Sequence, residues 1–218
     1  MKIISLSNNE AGYACAVGTS IKRYYKNNYK TNFFDYLVVS MKSINEILSL
    51  EHLNLMNENI DIQVSHENRS IIVWNNFDKL ISYHDLKLNF NKEEYIDFLN
   101  KYKRRFIRLL NFIYEEDILF FIRYGEITHD ELYTFYLNIK KINPTLVFYF
   151  IHIDYKEDNH ICKEKEYSNY KNYIYINFKL INKDKINQED DIYYQVLNYN
   201  WDFVFNIIDK NYIYIKNL

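Results

Sequence analysis

Apolar and polar residues follow one another along this chain with periods that predict helices and strands in turn. Lys92–Tyr114 carries apolar side chains three and four residues apart with lysines and arginines opposite, which predicts an amphipathic helix. Ile118–Ile122 is apolar throughout and has the length of a buried strand. The other predicted elements are a strand at Lys2–Leu6, helices at Ala11–Tyr25, Met41–Leu50 and Glu131–Ile142, strands at Leu146–Ile153 and Tyr173–Phe178, a helix at Asp190–Ile208 and a terminal strand at Tyr212–Ile215.

Strands that alternate with helices and are apolar on both faces predict a parallel sheet covered on both sides. We therefore expect one three-layer α/β domain over residues 1–218, with a mainly parallel central sheet of Rossmann-like or SGNH-hydrolase-like layout. This fold requires Lys2–Leu6 to pair in parallel with Ile118–Ile122 or with Leu146–Ile153. A small β insertion within residues 60–83 is predicted by three short apolar segments, Ile60–Val64, Ile71–Trp74 and Ile81–Tyr83.

Composition narrows the classes of function. With 27 basic and 29 acidic residues among 218, the chain has a net charge of -2, which gives no electrostatic case for binding nucleic acid or an anionic membrane. No apolar run approaches the roughly 18–20 residues that span a bilayer. Cys15 and Cys162 are the only cysteines, too few for a disulfide framework or a zinc site. We expect a cytoplasmic protein (host cytoplasm for a viral source) without metal or cofactor, whose partner is an unknown protein or small molecule.

The turn after the first predicted strand concentrates small residues, including Gly12 and Gly18, in a chain with three glycines. Ligands of open α/β sheets bind beyond the carboxyl ends of the strands. The glycine spacing matches neither the dinucleotide fingerprint nor the P-loop. On one interpretation Ser7 is a nucleophile with Asn8 and Asn9 as amide donors. On the other, an asparagine caps the following helix and the small residues let that helix pack closely.

Four motifs occur in order along residues 3–125: ISLSNNEAGYA, NFFDYLVVSMKSINEIL, YHDL, and KYKRRFIRLL followed by DILFFIR. In these motifs the chain resembles the predicted papain-like cysteine peptidases, a family defined as a domain of unknown function. The family pattern is S-L-G-x-x-C, then P-F-D-W, then H-D-F before a K-Y-x-R-R helix and an apolar strand that ends in arginine. The resemblance implies cysteine peptidase chemistry at a site assembled from these motifs.

The nucleophile position departs from the family pattern. The resemblance places Ser7 at the family's glycine and Glu10 at its cysteine, and a carboxylate is not expected to replace a thiolate in acyl transfer. Cys15 lies five residues further on, where we expect a helix face packed on the sheet and a cysteine buried as a small hydrophobic residue. We predict that Glu10 occupies the nucleophile position, pairs with His84 or Arg123, and leaves the protein without thiol peptidase activity.

The other motifs retain several polar residues. Asp35 is kept although Phe33 and Tyr36 replace the family's proline and tryptophan. His84 and Asp85 are also kept, and the resemblance implies a general base oriented by a carboxylate. The plainer interpretation is a turn histidine followed by an aspartate that caps the next segment.

Two further candidates follow predicted strands. Arg123 is placed to hold a substrate carboxylate or phosphate, or to pair with Glu126 or Asp35 as a structural contact. His152 ends another strand on the same edge, where it either joins the site or is simply packed.

Two functions of different class remain. One is an inactive descendant of the peptidases that acts as a protein-interaction module. The alternative is a hydrolase that uses Ser7 or Cys15 as nucleophile and His84 as base. Either site is expected in one cleft, with His84 within about 15 Å of Ser7 and with a lining of Ser7–Glu10, Asp35, His84, Arg123 and His152.

Overall fold

Two β-sheets organise the part of the chain that the structure describes. The computed structural model describes residues 2–8, 15–50, 59–64, 69–156, 164–166, 173–179 and 201–216. The strands are Lys2–Ser5 (β1), Leu37–Val39 (β2), Ile60–Val64 (β3), Arg69–Trp74 (β4), Leu80–Lys87 (β5), Ile118–Tyr124 (β6), Val147–Lys156 (β7), Glu164–Glu166 (β8) and Tyr173–Lys179 (β9). The helices are Ala16–Tyr25 (α1), Met41–Ser49 (α2), Lys92–Glu115 (α3), His129–Ile142 (α4) and Trp201–Lys216 (α5).

The first sheet has the strand order β1-β6-β7-β9-β8. Lys2 pairs with Leu119 and Ile118 with Val147, so β1, β6 and β7 run parallel, as does β9 beside β7. Only β8, which pairs with β9, is antiparallel among the described strands of this sheet. The predicted α/β class and the parallel pairing of Lys2–Leu6 with Ile118–Ile122 are therefore confirmed.

Apolar residues on both faces of β6 explain why that segment is apolar without interruption. Leu119 and Phe121 point into a core formed with α2, α3, α4 and the second sheet. Phe120 and Ile122 point the other way, into a core formed with α1 and α5. Successive side chains of a strand alternate between faces, so a strand covered on both sides needs apolar residues at every position.

The second sheet is larger than the small insertion expected within residues 60–83. Its strand order is β2-β5-β4-β3, and all neighbouring strands are antiparallel. The sheet is larger because Leu37–Val39 joins it by pairing with β5, and because β5 itself extends to Lys87. The two sheets meet at one bridge between Asn8 and Val38, where the N–H of Val39 donates to the carbonyl of Asn8 at 2.9 Å. The polypeptide after β1 therefore reaches the second sheet directly.

The carboxyl-terminal prediction was wrong in one element. Tyr212–Ile215 was expected to form a strand, and it lies instead in α5. The reason is that the α5 residues at helical spacing pack against the first sheet, namely Phe205, Ile208 and Tyr212. Residues 190–200 of the predicted helix, like residues 11–14 at the start of the first one, lie outside the described residues.

Candidate functional site

The turn that follows β1 passes through Ser7 in a left-handed conformation. Its φ is 55°, a backbone region that favours glycine. Ser7 is fully buried, its hydroxyl donates to the carbonyl of Leu37, and its N–H donates to Oγ of Ser5 at 3.1 Å. These contacts tie the turn to β2 and leave the hydroxyl inside the protein, unlike the accessible position that a nucleophile needs.

Asn8 continues this turn against Gly125, at the carboxyl end of β6. Gly125 has a φ of +99°, and a methyl group on it would lie 3.2 Å from Nδ2 of Asn8. Nε2 of His152 donates to the carbonyl of the same glycine at 2.7 Å. Asn8 and His152 are both buried, so they pack this strand edge together. Asn9 and Glu10 lie outside the described residues.

Arg123 is fully buried beside them and donates from Nη1 to the carbonyl of Leu6 at 2.7 Å. Burial lowers the pKa of its guanidinium to about 10, against an opposing influence of Glu131. Neither of the two carboxylates considered from the sequence, Asp35 and Glu126, pairs with it in the described structure. Arg123 therefore anchors the end of β1.

Asp35 is buried in the loop before β2 and accepts several hydrogen bonds. The hydroxyl of Tyr29 lies 2.7 and 2.6 Å from its two oxygens, the N–H of Asn32 donates at 2.7 Å, and the hydroxyl of Ser5 donates as well. Burial nevertheless raises the pKa of this carboxyl to about 6, because the hydrogen bonds and Arg105 offset only part of the desolvation. Asp35 thus titrates near neutral pH.

Asp85 lies within β5 and is held from three sides. Oγ of Ser82 donates to it at 2.6 Å, and the ammonium of Lys101 and the hydroxyl of Tyr102 donate to it from α3. Burial alone would raise the pKa of Asp85, but Lys101 and these hydrogen bonds lower it below the ordinary value. Asp85 is therefore a stable anion. The backbone of His84 lies in the same strand, and its side chain lies outside what the structure describes.

Cys15 stands at the amino terminus of α1, as its N-cap, and is half-buried. The pKa of its thiol is raised to about 11, mainly by burial and to a smaller extent by the charges of Asp85 and Asp35. Both carboxylates of the motifs thus lie within electrostatic reach of the only described cysteine. The position differs from the prediction, because Cys15 precedes the helix and is partly exposed, whereas Ala16 and Val17 are buried in the core.

Arg105 completes what we call the carboxylate cluster, defined as Cys15, Asp35, Asp85, Tyr102 and Arg105. The guanidinium carbon of Arg105 lies 5.2 Å from the centre of the Tyr102 ring, and its charge lowers the pKa of Asp35. Nη1 of Arg105 is buried without a hydrogen-bond partner. In the cluster, both carboxylates act on the pKa of the Cys15 thiol, and Arg105 acts on the pKa of Asp35.

The backbone beside the cluster is strained. Tyr36, directly after Asp35, has a φ of 66°, which is uncommon for a bulky residue. Such positions persist only when the surrounding structure holds them, and they concentrate at functional sites. Tyr36 therefore marks this loop as a constrained part of the candidate site.

The structure divides the predicted cleft into two groups. Asp35 and Asp85 both lie within electrostatic reach of Cys15, whereas Asn8, Arg123 and His152 pack at the carboxyl edge of the parallel sheet. The buried hydroxyl of Ser5 links the groups, because it accepts from Ser7 and donates to Asp35.

Sequence reasoning missed the α3 residues that complete the cluster. Lys101, Tyr102 and Arg105 were noted only as letters of a motif and were given no role. Their spacing of one and four residues on a helix was the available signal, since it puts Lys101 and Arg105 on one face.

A groove of about 660 Å³ opens beside Asp85, between β5 and α3. Two ion pairs hold part of its wall, Lys101 with Asp85 and Lys87 with Glu94. The rest of the lining is aromatic and charged, with Phe90, Phe98, Asp97 and Arg104.

The chain matches no family model, no curated protein and no solved structure. The likeness to the papain-like cysteine peptidases therefore rests on the four motifs, and the family stays a prediction. Among the described residues, no helix has both the length and the apolar character needed to cross a bilayer. The same residues contain no group of three or more His, Cys, Asp or Glu side chains placed to hold a metal ion.

Proposed function

We propose that this chain is a divergent, non-catalytic relative of the papain-like cysteine peptidases that acts as a protein-interaction module. The observation that carries the proposal is the environment of Cys15, whose thiol is half-buried and lies within electrostatic reach of Asp85 and Asp35. With its pKa raised from 9.0 to about 11, the thiol carries about a hundredfold less thiolate at neutral pH than an unperturbed cysteine. Thiolate is the nucleophilic form, so this environment opposes catalysis.

The helix dipole at Cys15 does not reverse this balance. A helix amino terminus favours an anion by about 0.3–1 kcal/mol. A pKa raised by two units corresponds to about 3 kcal/mol against the thiolate. The dipole is therefore the smaller of the two effects.

The environment of Ser7 also opposes a role as nucleophile. Its hydroxyl is fully buried and donates to the carbonyl of Leu37. A serine nucleophile needs an accessible oxygen within hydrogen-bonding reach of a base. The contacts of Ser7 support a structural role in the turn after β1.

The binding role is supported by the groove that opens beside Asp85. The groove beside Asp85 has aromatic walls at Phe90 and Phe98 and exposed charges of both signs at Asp97 and Arg104. Such a mixed surface suits a polypeptide better than a small apolar ligand.

Alkylation of Cys15 by iodoacetamide tests the proposal. In a Cys162→Ser background, we expect folded protein to react at least tenfold more slowly at pH 7.5 than the same chain unfolded in urea. The rate should rise with pH up to about 11, the pKa of the thiol. Cys15→Ser is the control for reagent consumed elsewhere. Faster labelling in the folded state than in urea would refute the proposal.

Hydrolysis with Cys15 as nucleophile and His84 as base is the second candidate. It is favoured by the electrostatic effect of the motif residues Asp35 and Asp85 on this thiol, which shows that both lie in its neighbourhood. Under this alternative, His84→Ala slows alkylation of Cys15 at neutral pH. Under the non-catalytic proposal, the same substitution leaves the labelling rate unchanged.

A further inference from the structure

Strand β3 forms an exposed edge of the second sheet. It pairs with β4, and no other described strand lies beside it. Asp61, Ile62, Gln63 and Val64 are all exposed, with 46% of Ile62 and 64% of Val64 accessible to solvent. The opposite edge strand, β2, is bridged to the first sheet through Asn8. Natural proteins usually protect an edge with proline, a bulge or charged side chains, lysine above all, and within β3 only Asp61 is of this kind.

The hydrogen bonds between β3 and β4 show which backbone groups point outward. The N–H of Asn75 donates to the carbonyl of Asn59 at 2.7 Å, so residues 59 and 75 form a hydrogen-bonded pair. These pairs alternate along an antiparallel ladder. The N–H and C=O groups of Ile60, Ile62 and Val64 therefore point away from β4, toward the open edge.

The same three residues carry the apolar face of the strand. Ile60 is opposite Trp74 and Ile62 is opposite Ile72, and both partners are buried in the core. Cross-strand partners share a face of the sheet. The face of the sheet that packs on the core therefore extends at β3 into an exposed apolar stripe, formed by Ile62 and Val64.

We propose that β3 pairs with β3 of a second copy of this chain, antiparallel, about a two-fold axis through Ile62. This register joins Ile62 to Ile62 and Ile60 to Val64, and it forms about six backbone hydrogen bonds from the outward groups. Two four-stranded sheets become one continuous sheet across the dimer. The inference is independent of whether Cys15 reacts.

Hydrogen-bond complementarity between Asp61 and Gln63 favours a second copy in this register. On the polar face, Nε2 of Gln63 already donates to Asp61 at 2.9 Å within one strand. In the dimer each Asp61 lies opposite Gln63 of the other copy, so a carboxylate meets an amide donor. A register centred on Asp61 would instead place two carboxylates directly opposite each other, which is unfavourable.

Analytical ultracentrifugation of the full chain tests the dimer between about 1 and 100 μM, where weak homodimers dissociate. We expect the wild type to dimerise and the double variant Ile62→Lys, Val64→Lys to raise the dissociation constant at least tenfold. Ile107→Lys, at a residue of α3 with 48% exposure, is the matched control and should leave the constant unchanged. A wild type that stays monomeric at 100 μM would overturn the proposal, even if it binds a different protein. A double variant that dimerises as strongly as the wild type would overturn it as well.

Oxidative crosslinking tests the register. In a Cys15→Ser, Cys162→Ser background, Ile62→Cys should give a disulfide-linked dimer, because paired Cα atoms about 5.5 Å apart suit a disulfide. Gln63→Cys is the control and should remain uncrosslinked, since the two copies of that residue are diagonal and about 7–8 Å apart. Preferential crosslinking of Gln63→Cys would show that the axis does not pass through Ile62.

Discussion

A methyl group on Gly18 would lie 2.6 Å from Oδ1 of Asp35. Helix α1 thus rests directly on a buried carboxylate, and only a residue without a side chain fits between them. The same carboxylate lies within electrostatic reach of Cys15, at the start of that helix. The glycine at position 18 is therefore explained by the close approach of helix α1 to Asp35.

Gly18→Ala should destabilise the protein by about 1–3 kcal/mol, the usual range for overpacking a rigid site. The sign is informative, because alanine normally stabilises a helix interior by about 0.5–1 kcal/mol relative to glycine. Urea unfolding monitored by circular dichroism measures the free energy of unfolding.

Ser20→Ala, in the same helix, is the matched control for this substitution. Oγ of Ser20 is buried without a hydrogen-bond partner, so its removal should leave stability unchanged or increase it. If Gly18→Ala proved as harmless as Ser20→Ala, the close approach to Asp35 would be wrong.

At Ser7, we expect Ser7→Gly to destabilise less than Ser7→Ala. Both substitutions remove the hydrogen bond to Leu37, worth about 0.5–1.5 kcal/mol. Only glycine also relieves the left-handed backbone, whose φ is 55°. Thermal unfolding of both variants beside the wild type checks the order, and an alanine variant more stable than the glycine variant would contradict it.

Asp35 should make the protein less stable as the pH rises from about 4 to about 6. Its pKa is about 6 in the folded state and 3.8 as the reference for the unfolded chain, so the folded state binds more protons across this window. The shift corresponds to about 3 kcal/mol above pH 6. The free energy of unfolding of Asp35→Asn, relative to wild type, should therefore improve by about that amount between pH 4 and pH 7.

Asp85 should affect the pH dependence of stability in the opposite direction to Asp35. Its pKa is lowered in the folded state, so its stabilisation is present above the unfolded pKa of 3.8 and is lost as the pH falls through the folded value. Asp85→Asn should accordingly be most destabilising near neutral pH and less so in acid. Parallel pH dependences for the Asp35 and Asp85 variants would contradict the assignment.

Tyr102→Phe should destabilise the protein by about 1–3 kcal/mol, because it removes a donor from the buried carboxylate of Asp85. Tyr133→Phe, at a ring that is half-exposed on α4, is the control and should change stability by less than about 0.5 kcal/mol. Chemical denaturation of both variants gives the comparison. Equal effects would show that the hydroxyl of Tyr102 does not support Asp85.

The local spacing of apolar residues was enough to predict the elements whose hydrophobic pattern is clear. Helix α3 was expected at Lys92–Tyr114 and ends at Glu115, and β6 contains the whole of Ile118–Ile122. The parallel pairing of β6 with β1 was one of the two pairings expected, because continuously apolar strands between helices fit a parallel sheet covered on both faces.

Elements that depend on distant partners were not predictable in the same way. Leu37–Val39 becomes a strand by pairing with β5, more than forty residues later. Tyr212–Ile215 has the alternation and β-branched content of a strand, yet its helix buries Phe205 and Ile208 against the first sheet. Tertiary packing decided both cases, since local preference is weaker than burial of a common apolar face.

For the candidate site, the sequence by itself determined which chemical groups are present and tertiary structure determined their state. Motif reasoning selected Asp35, Asp85 and Cys15 as candidates for one shared site. Burial raises the pKa of Asp35, and burial together with the charges of Asp85 and Asp35 raises that of Cys15. Lys101 of α3 instead lowers the pKa of Asp85 and keeps it an anion. A pKa depends on desolvation and on charges a few ångströms away, and these come from segments far apart in the chain.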